Sequence, residues 1–73
     1  MSPFGVVLFH TTSAAFRAEK LLRAHALVVK LIPTPRALSS DCGTALRFAW
    51  DDADRVGRLL ADGRVDVAGI HPI

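Results

Sequence analysis

The chain has few of the residues that extracellular and metal-binding proteins depend on. Its 73 residues include one cysteine, no tyrosine, one tryptophan and three histidines. A single cysteine excludes an intramolecular disulfide and a Cys-x-x-Cys pair, and the histidines lack the spacing of metal ligands. We therefore expect no metal and no cofactor, and a reducing compartment such as the cytoplasm.

Long apolar runs and blocks of one charge are also missing. No stretch approaches the ~20 apolar residues that cross a bilayer, and residues 1–10 lack the basic start and apolar stretch of a signal peptide. The net charge is +2, with basic residues interspersed among acidic ones. This pattern does not predict nucleic-acid binding. We expect a cytoplasmic protein that binds neither membrane nor nucleic acid.

The length fits one small domain, residues 1–73, near the lower limit at which a chain buries enough surface to fold alone. The hydrophobic fraction is 51%, but much of it is alanine, which contributes little area. The sequence therefore also allows a homodimer, in which a second copy of the chain covers a further apolar face.

The order of apolar runs predicts the elements β-α-β-β-α-β. Strands are expected where β-rich or alternating runs occur, at 4–10, 27–32, 44–50 and 65–70. Helices are expected at 13–25 and 51–62, where apolar residues recur every three or four positions. With right-handed crossovers, this order favours an α+β, ferredoxin-like two-layer sandwich. Its four-stranded antiparallel sheet would carry both helices on one face.

Four residues refine this prediction. His25 is expected to cap the end of the first helix, and Gly63 to end the second in the left-handed conformation. Trp50 is expected in the core. Phe16 falls opposite the apolar stripe of its helix, which makes it a weak candidate for a dimer contact.

The segment 33–43 differs from the packed scaffold because it combines two prolines, an arginine, two serines, a cysteine and a glycine. Loops held by a rigid frame often carry chemistry. The predicted topology places this loop beside the turn from strand one into helix one. Thr11, Thr12 and the positive end of the helix dipole would then lie near Cys42 and favour an anion there.

Other residues of the loop favour the same chemistry. Arg36 adds a positive charge, and Ser39 and Ser40 can donate hydrogen bonds to a sulfur anion or a bound oxyanion. Gly43 permits a tight turn that leaves the sulfur of Cys42 exposed.

Three further charged or titratable residues bear on the chemistry of the thiol. His10 is the histidine that the topology places nearest Cys42, and Arg47 lies on the following strand. Asp41 opposes a thiolate through its negative charge. No general base is assured near the thiol, so a carrier is favoured over a stand-alone enzyme.

The residues leave several functions open. A lone cysteine is more often a buried, inert apolar residue than a reactive one. The chain could therefore be an anion-binding regulatory module in which Cys42 is incidental. It could also be an interaction domain whose second strand adds to a partner's sheet.

At this loop the sequence resembles the "Putative Se/S carrier protein-like" family of small bacterial domains. The resemblance covers nearly the whole chain and includes Phe9-His10-Thr11-Thr12, Pro33-x-Pro35-Arg36-x-x-Ser39-Ser40-x-Cys42-Gly43 and Ala45-Leu46-Arg47-Phe48. It implies that Cys42 holds sulfur or selenium as a persulfide or selenylsulfide and passes it to a partner enzyme. It also implies that Arg36, Ser39, Ser40 and Gly43 form the surroundings of this thiol.

Overall fold

The computed structural model describes residues 3–38 and 42–73. The elements along the chain are β1 (Phe4–Leu8), α1 (Thr12–Ala24), β2 (Val29–Pro33), β3 (Thr44–Ala49), a short 3-10 helix (Trp50–Asp52), α2 (Ala53–Asp62) and β4 (Gly69–Pro72). The α+β class and the order of the strands and two α-helices are confirmed.

The four strands form one antiparallel sheet in the order β2-β3-β1-β4. β3 therefore lies between β1 and β2, the two strands that α1 connects. Leu8 pairs with Ala45, and Pro33 pairs with Thr44. The end of β1, the end of β2 and the start of β3 consequently share one end of the sheet, where the cysteine loop begins and ends.

β1 is central and buried on both faces, as its continuous apolar sequence predicts. Val7 and the following Phe9 belong to the main core, whereas Val6 and Leu8 belong to a second cluster. The main core also receives the apolar stripes of both α-helices, Ala14, Ala15, Ala18, Leu22, Val56 and Leu60. Burial of each large apolar side chain contributes about 1.5–3 kcal/mol relative to exposure.

Gly5 lets two aromatic rings lie against β1. A Cβ atom at this position would approach Phe48 and Trp50 to 2.5 Å. The two rings stack with their centroids 6.0 Å apart. Trp50 is half-buried and packs against the main core without being one of its buried residues, so its prediction is confirmed only in part. Phe16 is 54% exposed, as the helical pattern predicts.

The prediction that Gly63 takes the left-handed conformation is wrong. Gly63 has φ −80°, and the next residue, Arg64, has φ 55°. The Val65 N–H donates to the Leu60 carbonyl at 3.0 Å, which makes this helix end a Schellman motif. α1 ends in the same way, with Ala26 at φ 62°.

The last strand begins later than predicted, at Gly69 and not at residue 65. Val65 is apolar because it is buried beside the end of α2, where its N–H completes the helix cap. The chain reaches the sheet only at Ala68, whose N–H donates to the Leu8 carbonyl at 2.7 Å. An apolar residue that completes a helix cap therefore has the same sequence pattern as the start of a strand.

Candidate functional site

Cys42 lies two residues before β3 and is buried, with 4% of its surface exposed. Its side chain belongs to the main core, together with Phe9 of the β1–α1 connection and Ala14 and Ala15 of α1. The thiol therefore lies below the surface, at the point where the first turn of α1 meets the end of the sheet.

Among the described residues, two polar groups contact the sulfur of Cys42. The Thr44 backbone N–H donates to Sγ at 3.4 Å, and Thr12 Oγ1 lies 3.6 Å from Sγ. Either Thr12 or Cys42 can be the donor in the second contact while the thiol is protonated. Once the sulfur is an anion, only the hydroxyl can donate. Both groups can therefore stabilise negative charge on sulfur.

The start of α1 adds to this polarity. Thr11 is the N-cap residue, and its hydroxyl accepts a hydrogen bond from the Ala14 N–H at 3.1 Å. Thr12 is the first residue of the helix, so the positive end of the helix dipole lies beside the sulfur. A capped helix start also fixes the backbone from which the Thr12 side chain projects.

Thr34 fixes the backbone of the cysteine. Its hydroxyl donates to the Cys42 carbonyl at 2.9 Å, and its N–H donates to the Gly43 carbonyl at 3.0 Å. The backbone bond continues the β2–β3 pairing one step beyond Pro33 and Thr44, and the hydroxyl bond adds a side-chain contact to it. They set the direction in which the Cys42 side chain leaves the backbone.

The same loop also contacts the opposite face of the sheet. Leu38 packs with Ile32 against the second cluster, formed by Val6, Leu8 and Ala45. Cys42 belongs to the main core on the helix side. The segment that joins β2 to β3 therefore contacts both faces of the sheet, with Leu38 on one side and Cys42 on the other.

The expectation that Gly43 leaves the sulfur exposed is wrong. Gly43 itself is exposed, but its φ is not positive, and a Cβ atom there would meet nothing within 4 Å. No tight glycine turn forces Cys42 outward. The hydrogen bonds of Thr34 hold the cysteine backbone where its side chain enters the core.

The remaining site residues divide into three groups. Ser39, Ser40 and Asp41 lie outside the described residues. Arg36 is exposed, and within residues 3–38 and 42–73 it makes no hydrogen bond or ion pair. His10 is exposed on the turn before α1, and its participation stays a prediction.

Arg47 does not lie with the cysteine. Its guanidinium lies 4.5 Å from the centroid of the Phe4 ring, and it pairs in register with Val6 of the second cluster. It therefore occupies the sheet face opposite Cys42. Strand alternation explains this, because Leu46 and Phe48 on either side of Arg47 face the main core.

Two threonines contact the cysteine although sequence reasoning did not select them. Thr34 stands between two prolines, and Thr44 begins β3. Their positions in the sequence could have identified them, since Thr34 lies just after the second predicted strand and Thr44 begins the third. Pairing of the two strand ends would have placed Thr34 opposite Gly43.

In the described part of the chain, no group of three or more His, Cys, Asp or Glu side chains could hold a metal ion. None of the helices within it is both long and apolar enough to cross a membrane.

The fold and the thiol define a small α+β domain that holds one cysteine beside the start of a helix. Residues 4–72 match the family model described as "Putative Se/S carrier protein-like". The chain belongs to this family, which confirms the resemblance drawn from its sequence. The comparisons with curated proteins and with solved structures gave no match.

Proposed function

We propose that the protein carries sulfur or selenium on Cys42 and delivers it to a partner enzyme. The observation that carries this proposal is the pair of donors at the sulfur, the Thr44 N–H and the Thr12 hydroxyl. The family description supports the same reading. Donor and acceptor enzymes of the cytoplasm would be its partners.

The loading step is a transfer between sulfur atoms. The Cys42 thiolate attacks the outer sulfur of a donor persulfide, R–S–SH, and the donor S–S bond breaks. The donor leaves as the thiolate R–S⁻, and Cys42 becomes a persulfide. A donor R–S–SeH would deliver selenium in the same way. No external oxidant or reductant is needed.

The polar contacts favour the loaded form. A persulfide is more acidic than a thiol, so the carried atom is largely anionic at neutral pH. Hydrogen bonds to a charged acceptor are stronger than those to a neutral one. In the persulfide the charge lies on the outer atom bonded to Sγ, so the Thr12 hydroxyl and the start of α1 would stabilise the loaded anion more than the resting thiol when that atom lies toward α1.

The burial of Cys42 sets a condition on this function. A donor reaches a thiol that is 4% exposed only after the surrounding chain moves. The contact of Leu38 with the second cluster holds the same loop in place. Loading should therefore be limited by access to the sulfur, and a loaded persulfide should be protected from solvent.

We also assign the chain to the ferredoxin-like group. The position of β3 between β1 and β2 supports this assignment, since the first crossover then joins two strands that are not neighbours. Both α-helices contribute to one core cluster, which supports a two-layer arrangement.

The test of the proposal is loading with glutathione persulfide, followed by intact-protein mass spectrometry. We expect the wild type to gain the mass of one sulfur atom, and cyanide to remove that atom as thiocyanate. Cys42→Ser should gain nothing. Equal gain by Cys42→Ser would place the sulfur elsewhere and refute the proposal.

A further inference from the structure

A second surface with unbalanced charge lies at the other end of the sheet. There, a hollow of about 90 Å³ is lined by side chains that include Phe4, Val28, Lys30 and Arg47. We call it the Phe4–Val28 hollow. The register places it at the Phe4–Ala49 end of β1 and β3, whereas Cys42 lies beyond the opposite, Leu8–Ala45 end.

The hollow is apolar and open to a partner. Val28 is 87% exposed and Phe4 is 40% exposed. Two of the four large exposed apolar side chains of the described chain therefore line one small hollow. Apolar surface gathered in this way, with a polar rim, is typical of an interaction site.

The two cations beside the hollow are in an unfavourable arrangement. Lys30 and Arg47 are register partners on β2 and β3 and share one face of the sheet. Like charges directly opposite each other destabilise a strand pair. In the described part of the chain neither forms an ion pair, and the residues that line the hollow include no acid.

The Arg47 side chain is prepared to bind a carboxylate. Its guanidinium lies over the Phe4 ring at 4.5 Å, and this cation–π contact restrains its plane. Arg47 is half-buried, so a part of its hydration is already lost. The fork of N–H groups matches the two oxygens of a carboxylate.

We propose that the Phe4–Val28 hollow binds an acidic protein segment that carries an apolar side chain. Carboxylates of the segment pair with Lys30 and Arg47, and the apolar side chain lies between Phe4 and Val28. A second copy of this chain is a poor occupant, because a two-fold contact would bring the same cations together. This inference does not depend on the proposed role of Cys42.

The test uses a blocked peptide of alternating glutamate and leucine, titrated into the isotopically labelled protein and followed by NMR. We expect amide shifts at the starts of β1 and β2 and the end of β3, and binding that weakens as salt is added. Arg47→Gln should weaken binding about tenfold, and Lys30→Gln about threefold. Arg58→Gln on the exposed face of α2 is the matched control and should not change binding.

Thermal unfolding separates a binding role from a structural one. Because Lys30 faces Arg47, Lys30→Gln should leave the melting temperature unchanged or raise it while binding falls. No shifts with the peptide would overturn the proposal, as would an equal loss in Arg58→Gln. Binding of a single-stranded oligothymidylate at these residues, in place of the peptide, would overturn it in favour of nucleic acid.

Discussion

The hydroxyl of Thr12 lies 3.6 Å from the sulfur of Cys42, although 30 positions separate the two residues in the chain. Thr12 begins α1, so this contact joins a helix start to the loop between β2 and β3. The thiol thus has a hydroxyl neighbour whose backbone is positioned by secondary structure. Substitutions of Thr12 therefore test the surroundings of the thiol while Cys42 itself is unchanged.

Replacing Thr12 by valine should weaken retention of a carried sulfur. Valine keeps the branched shape of threonine and removes only the hydroxyl, which contributes ~1 kcal/mol as a hydrogen bond. We expect the persulfide of Thr12→Val to be lost to a competing thiol about fivefold more readily at equilibrium. Thr12→Ser retains a hydroxyl and is the control, so equal losses in the two variants would show that the hydroxyl has no such role.

Leu38→Ala should make Cys42 more accessible. The substitution removes apolar contacts with the second cluster and leaves the sulfur's own contacts intact. We expect alkylation of the native protein by iodoacetamide to become faster by about tenfold, because the loop detaches from the sheet more often.

Leu59→Ala is the matched control for that measurement. Leu59 is half-buried on α2 and packs against the main core. Leu59→Ala therefore removes the same side-chain atoms as Leu38→Ala, but away from the cysteine loop. If both variants accelerate alkylation equally, the effect is one of global stability and Leu38 has no special part in anchoring the loop that carries the thiol.

Two glycines should respond oppositely to alanine. Gly5→Ala places a methyl group against Phe48 and Trp50, and overpacking of this kind costs about 1–3 kcal/mol. Gly43→Ala meets open space at a φ that is not positive. It should leave the free energy of unfolding unchanged or raise it by ~0.4–1 kcal/mol. Urea unfolding of both variants checks the pair, and a large loss in Gly43→Ala would contradict the loop conformation.

Arg64→Gly should stabilise the protein. Arg64 adopts φ 55° at the end of α2, where a side chain costs about 1 kcal/mol and glycine has no such penalty. Arg58→Gly, inside α2, should instead lower the free energy of unfolding by about 1 kcal/mol. Thermal unfolding of the two variants should show shifts of opposite sign, and a decrease in both would argue against the helix end described here.

Sequence patterns predicted the scaffold well because periodicity decides it. The apolar stripes of both α-helices and the continuous run of β1 identified the elements, and right-handed crossovers then limited their arrangement. The predicted start of the fourth strand was four residues too early, because Val65 packs at a helix end and β4 begins only at Gly69. Periodicity does not distinguish an apolar residue that caps a helix from one that begins a strand.

The details of the site were harder to predict. The polar neighbours of Cys42 suggested exposure, but the direction of a side chain in a loop depends on how the loop is closed. Here the two hydrogen bonds from Thr34 decide it. The separation of Arg47 from Cys42 could have been predicted, because side chains alternate along β3. The side chain of Arg47 therefore lies on the other face of the sheet from those of Leu46 and Phe48.

The most direct test of the carrier role is whether Cys42 both accepts and releases sulfur. The protein would be loaded with glutathione persulfide labelled with radioactive outer sulfur, separated from the donor and then mixed with an excess of dithiothreitol. We expect the label to enter the wild type but not Cys42→Ser, and to leave as sulfide when dithiothreitol is added. A wild type that takes up no label, or that never releases it, would contradict the account.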